Sequence, residues 1–257
     1  MLKKAFFYLT ILIGYILVFP VQAGDTILLS VGEWPPYFSQ EFKYGGVGSR
    51  IVTQAFALEG ITVKYDYMPW KRSLDSVPAG SHKGSVGWRK TPEREKLFSY
   101  TDSLFNSEVV FFHRMGTRFD WQEVDDVGHL KIGVTLGYLA EKDLGPVTRR
   151  NGGKLDVAPT DVNNLLKLID GRIDIFPCSK EVCYYLLRTQ FLPGAADQIS
   201  HHPKPLYSSG LHILFAKNDP EAPKLIKAFN RGLKRLRESG RYAQYLEESL
   251  RGEYAPR

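Results

Sequence analysis

Arg94 is the side chain in this chain best placed by its neighbours to hold an anion. It lies in the segment Gly87-Trp-Arg-Lys-Thr-Pro-Glu-Arg-Glu-Lys-Leu-Phe-Ser-Tyr-Thr-Asp102, which follows a strand-like approach at Val86. Pro92 has no amide hydrogen and a fixed φ, so it suits a turn or the first position of a short helix. Thr91 before it offers a hydroxyl cap. Arg94 then stands one turn in, where its planar fork of donors can swing back toward the strand end and grip a carboxylate. On spacing alone the simpler partner is a surface carboxylate such as Glu93 or Glu95.

Aromatic rings supply the second feature. Residues 26–31 read as a buried strand, and Glu33-Trp34-Pro35-Pro36-Tyr37-Phe38 follows at once. Two prolines end the strand and stiffen the loop. Trp34 and Tyr37 are thereby displayed at a strand's C-terminal end, where open α/β sheets bind ligands; the alternative is that both rings cover the core. Trp70 opens a later helix, and Arg72 is expected to point to the same side. The cluster Gly45-Gly46-Val47-Gly48 lacks the Lys-Ser/Thr ending of a P-loop, so it reads as a flexible turn.

Cys178 and Cys183 are the third feature. In an exported chain an even cysteine count points to a disulfide, here joining a strand end to the start of a helix. Cysteines at that spacing do not face each other within one helix, so Cys178 has to precede it. A metal site is not expected, since two thiolates with no neighbouring His are incomplete.

The elements that must position these residues alternate in type. Strands are predicted over 62–67, 107–113, 130–135, 173–176 and 211–217. Helices are predicted over 49–59, from 69, over 139–144, 162–169 and 179–187, and over 222–250 with a break at Gly240. Lys3-Lys4, an apolar run over 5–19 and Val21-Gln22-Ala23 form a secretory signal pattern with cleavage after Ala23. The formal charge of +6 reflects 34 basic residues scattered among 28 acids, with no basic run that would suit nucleic acid.

Thr91-Pro92-Glu93-Arg94-Glu95-Lys96, continued by Phe98-Ser99 and Thr101-Asp102, resembles the signature segment of the bacterial family 3 solute-binding proteins, receptors of polar amino acid uptake. Asp161-Val-Asn-Asn-Leu-Leu and Gly171-Arg-Ile-Asp174 extend the likeness, as does Gly232-Leu-Lys-Arg-Leu-Arg-Glu-Ser-Gly-Arg-Tyr242. The resemblance implies an α/β, two-lobed type II periplasmic binding fold. Its two mixed sheets carry flanking helices and are joined by a two-strand hinge. It implies a first lobe of 24–113 and 207–257 and a second of 114–206. It also implies that Arg94 holds a ligand carboxylate, that Trp70 stacks on the ligand, and that the helix start after Gly137-Tyr138 offers backbone donors. Trp34, Trp70 and Trp88 are expected on the cleft wall, and Arg89 is not a residue that the family assigns to the carboxylate.

The chain departs from the family where an ammonium is usually held. That position falls at Ser179, beside Cys178, and carries no charge. Glu33 or Glu181 is the alternative replacement. The expectation is a monomeric periplasmic receptor that captures a small carboxylate-bearing ligand for an ABC-type permease. It would have no cofactor, no metal and no chemistry on the ligand. The rivals are a cyclohexadienyl-type dehydratase and a sensing protein not coupled to transport.

Overall fold

The computed structural model describes residues 25–256. The signal segment and its cleavage position lie outside the described residues. β1 (Thr26–Val31) is paired in parallel with β2 (Thr62–Tyr67) and β3 (Gly84–Trp88), through the connecting helices α1 (Gly46–Ala57) and α2 (Trp70–Ser76). β4 (Phe98–Tyr100) and the longer β5 (Phe105–Arg114) follow. A second strand–helix set comprises β6 (Lys131–Thr135), α3 (Leu139–Asn151), β7 (Lys154–Ala158), α4 (Asp161–Ile169), β8 (Ile175–Ser179) and α5 (Lys180–Thr189). β9 (Ile199–Ala216), α6 (Ala222–Glu238) and α7 (Arg241–Leu250) complete the chain. Among the described residues no helix is long and apolar enough to cross a membrane.

The strands run in the order β2-β1-β3-β9-β5-β8-β6-β7, with β4 also on β9. β9 is the element shared by both halves. Its last residues pair antiparallel with β3 and β4, and its first twelve or so lie along β5. An 18-residue strand spans up to roughly 60 Å, enough to serve two sheets. Only residues 211–217 had been legible as a strand. Residues 199–210 contain His201-His202-Pro203-Lys204-Pro205 and are half-buried, so no apolar alternation marks them. Their strand character comes from pairing with β5, and Pro205 sits at a register shift, where a missing amide is tolerated.

Three further expectations change. The helix expected over 139–144 continues through Pro146 to Asn151, because Leu144, Val147 and Thr148 form one buried face that outweighs the proline. The helix expected after Pro92 is a single 3-10 turn, Arg94–Lys96, although Thr91 Oγ1 does accept from the Arg94 amide at 3.2 Å. The glycines after Gly45 are not a flexible turn. They start α1 and pack its first turn on the Trp34–Phe38 loop, where a Cβ on Gly48 would lie 2.3 Å from the Phe38 ring. Cys178 ends up on β8 and Cys183 in α5, and the two are joined by a disulfide with a Cα separation of 6.2 Å.

Candidate functional site

β1 and β3 both end at the same edge, and that edge carries the aromatic wall. Trp34 and Phe38 close a short turn in which the Trp34 amide donates to the Phe38 carbonyl at 2.7 Å. Trp70, at the start of α2, lies across Gly32 and Gly87. A Cβ on Gly32 would come within 2.3 Å of its indole, and Gly87 has φ +94, so both positions need glycine. The rings form a row: Trp34 meets Trp70 edge-on at 6.4 Å, and Trp70 meets Trp88 edge-on at 5.3 Å. The Arg94 guanidinium completes the row, 4.8 Å from the Trp88 ring. Trp88 Nε1 is tied to Ser85 Oγ at 2.6 Å, which fixes the ring beneath the cation.

These residues line a cleft of about 90 Å³ between the two halves. Gly137, Tyr138, Leu139 and Ala140 face them from the start of α3, with Pro177, Cys178 and Ser179 at the end of β8. The two walls touch at the rim. Lys142 of α3 pairs with Glu93 at 3.3 Å, and the turn at Gly137 lies against Lys71. Behind the second wall sits a satisfied polar network. The Tyr138 hydroxyl and Thr135 Oγ1 donate to Asp161, at 3.2 and 2.5 Å. Burial pushes the Asp161 carboxyl up to about 6, against the pull of those two bonds. Ser179 Oγ lies 3.1 Å from Ser107 Oγ and donates to Glu181 at 3.4 Å.

Seven of the nine residues singled out as ligand-binding thus meet at one cleft: Arg94, Trp34, Trp70, Trp88, Gly137, Tyr138 and Ser179. Tyr37 and Arg72 do not. Tyr37 stacks on Phe105 at 4.5 Å, on the core side of the Trp34 loop. Arg72 is exposed on the outer face of α2, because the buried face of that short helix is at Ser73. The expectation that it points into the cleft is corrected. Neither Glu33 nor Glu181 lines the cleft; Glu33 accepts from the Gln40 amide at 2.8 Å.

Two polar side chains entered the cleft unannounced. Tyr207 comes from the half-buried, proline-rich part of β9 and donates to Asp143 at 2.7 Å. Arg89 directly follows β3 and lines the same cavity. Its Nη1 donates to the carbonyls of Ser107 on β5 and Ser209 on β9, at 3.1 and 3.3 Å, and to the Ser209 hydroxyl at 2.5 Å. Its Nη2 is buried without a partner. Burial pushes the Arg89 guanidinium down to about 10 and lowers that of Arg94. Among the described residues, neither arginine has a carboxylate within ion-pair distance. The signal for Arg89 was present: a charged residue at the C-terminal end of a buried strand faces the ligand edge of an α/β sheet.

The architecture has counterparts among solved structures. A histidine kinase sensor domain described as similar to periplasmic binding proteins superposes with a TM-score of 0.75 at 18% identity, covering 91% of this chain and 99% of that one. An ancestral arginine-binding protein bound to arginine gives 0.74 at 18% identity, with 88% and 98% coverage. A substrate-binding protein of an amino acid ABC transporter from Streptococcus pneumoniae, bound to L-arginine, gives 0.72 at 18%, with 88% and 95% coverage. These likenesses establish the type II periplasmic binding fold. No curated protein matches the sequence. Residues 27–251 match the family profile, and the chain belongs to the bacterial extracellular solute-binding proteins, family 3.

Proposed function

We propose that the protein is an exported receptor that captures a small carboxylate-bearing ligand of amino-acid size between two lobes, 24–113 with 207–257 and 114–206, and presents it to an ABC-type permease. The observation that carries this reading is Arg94, a half-buried guanidinium that faces an apolar cleft with no carboxylate of its own. A cation so placed holds a strong valence for an anion. The lobes would close through β5 and β9, the two strands that join the halves. Closure is favoured by whatever contacts improve in the closed state. The Glu93–Lys142 pair at the rim is such a contact.

The test is a thermal-shift screen of the mature chain, starting at Gly24, against small carboxylates and amino acids. A ligand that binds only the folded state raises the melting temperature. The expected hit carries a carboxylate, loses affinity when amidated, and is lost with Arg94→Ala. A hit without an anionic group, or full affinity in Arg94→Ala, overturns the reading. Intact mass of exported material is expected to begin at Gly24, and a full-length chain found only in membranes refutes export. The likeness to a kinase sensor domain favours a second reading, in which the captured ligand is reported to a membrane receptor and not delivered. Uptake of the identified ligand in cells lacking this protein separates the two.

A further inference from the structure

We infer that the cleft is built for a small, doubly charged anion without an ammonium group, and that Arg89 is its second anion-binding residue beside Arg94. The inference rests on the proposed binding role of this cleft and deepens it.

Charge is the first ground. Arginine stays protonated in proteins, so Arg89 and Arg94 bring two positive charges to one cavity. Burying a charge without a partner carries a heavy desolvation cost, which proteins ordinarily offset with a paired acid. No described residue pairs either one with an acid; Arg89 Nη1 has the Ser107 and Ser209 oxygens, and Arg94 Nη1 the Arg89 carbonyl at 3.3 Å. Of the acids nearest the cleft, Glu93 pairs with Lys142 at the rim and the others stand behind the lining, and each already accepts a bond. Asp161 takes Thr135 and Tyr138, Asp143 takes Tyr207, Glu181 takes Ser179, and Glu141 takes the Gly137 amide.

Donor inventory is the second ground. Two buried lining donors, Arg89 Nη2 and Trp70 Nε1, make no well-formed hydrogen bond, although the Trp70 indole lies near the Tyr138 hydroxyl. The hydroxyl protons of Tyr138 and Tyr207 are spent on the acids behind them, and Ser179 Oγ is shared with Ser107 and Glu181. An ammonium presents three donors and needs acceptors. The hydroxyl oxygens of this wall can still accept, but the wall meets an ammonium with two positive charges and no carboxylate.

Size and rigidity are the third. The cavity of about 90 Å³ favours a compact solute. Arg89 is held in advance by carbonyls of both β5 and β9, which leaves Nη2 fixed at little further ordering cost. The two charges could belong to a short dicarboxylate or to a compact oxyanion such as phosphate.

Calorimetric titration of the mature, disulfide-bonded protein with malonate, succinate, inorganic phosphate, propionate and L-alanine in low-salt buffer tests this. At least one dianion is expected to bind about tenfold or more tighter than propionate and L-alanine. Dominance of malonate or succinate identifies the dicarboxylate, and dominance of phosphate the oxyanion. Arg89→Gln is expected to shrink the preference for dianion over propionate to below about threefold, because only the second charge loses its partner. Arg94→Gln is expected to abolish both. Arg89→Lys keeps the charge should the Gln variant not fold, and is expected to retain part of the preference. The inference is overturned if L-alanine binds tighter than every dianion, if propionate binds as well as the dianions, if no dianion binds, or if Arg89→Gln leaves the preference unchanged. In each case the carboxylate role of Arg94 still stands if Arg94→Gln removes whatever binding remains. If Arg94→Gln changes nothing, both readings fall.

Discussion

Arg50 and Arg94 are the same side chain in two kinds of surroundings. Both guanidiniums rest on aromatic rings: Arg50 lies 3.8 Å from Tyr245, and Arg94 lies 4.8 Å from Trp88. Arg50 also finds oxygen. Its Nη1 pairs with Glu248 and donates to the Tyr254 hydroxyl at 2.5 Å, so α1 is stapled to α7 and the C-terminal turn. Burial pulls the Arg50 pKa down, but the bonds to Tyr254 and Glu248 outweigh it and hold it above its usual value. At Arg94 burial dominates, with only the nearby Tyr100 and Glu93 opposing it, and the pKa falls. Arg89 follows Arg94, with main-chain and hydroxyl oxygens in place of an acid. Stacking on an aromatic ring therefore does not mark a binding arginine. What separates the two is whether the fold supplies the anion.

The comparison can be broken in four ways, from the largest effect to the smallest. Arg94→Ala should cost about 2–5 kcal/mol in ligand binding while the melting temperature moves little. Arg94→Lys should recover part of it, since an ammonium cannot form the paired fork. Titration of both variants with a carboxylate from the screen, alongside a melting curve, reads both quantities. Glu248→Ala makes Arg50 resemble Arg94. It should destabilise the fold by about 3 kcal/mol, because a mostly buried cation loses its acid, yet leave ligand affinity unchanged. Urea denaturation checks this, and a matching loss of affinity would show that the C-terminal staple and the cleft are coupled.

Reduction of the Cys178–Cys183 bond comes next. The closed loop is short, so the expected loss of stability is about 2 kcal/mol. Because Cys178 and Ser179 line the cleft, binding should weaken as well. The thiols should resist alkylation until a reductant is added, and melting with and without reductant measures the stability term. Glu93→Gln is the mildest change. It removes the rim pair with Lys142, in which both side chains are more than half exposed, so affinity should fall by less than about threefold, and less still at high salt. A tenfold loss in that variant would make the rim pair a main element of closure.

The fold was largely legible because its strands and helices carry strong periodic signals. α4 and α6 show clear apolar faces, Thr160 and Gly240 mark helix ends, and the break in the tail helix lies where Gly240 takes up a left-handed conformation. The site was legible where turn chemistry and family likeness converged, at Trp34, Arg94 and the Gly137-Tyr138 turn. Arg72 was misplaced because a seven-residue helix defines its buried face by one residue, and that residue is Ser73. Arg89 was missed although its place just after β3 marked it, because its partners, the carbonyls of Ser107 and Ser209, lie 18 and 120 residues away.

The sequence by itself determined the strand–helix alternation, the arginine in its proline turn, the aromatic loop after β1 and the absence of charge at Ser179. Those are properties of neighbours along the chain: φ limits, apolar spacing and residue type. Only the tertiary structure decided that β9 runs through both halves, that Arg50 is neutralised while Arg89 and Arg94 are not, and that every nearby acid is already engaged, at the rim or behind the cleft wall. Neutralisation depends on which groups approach within a few ångströms after folding, and residues as far apart as Arg50 and Glu248 have no sequence proximity to announce it.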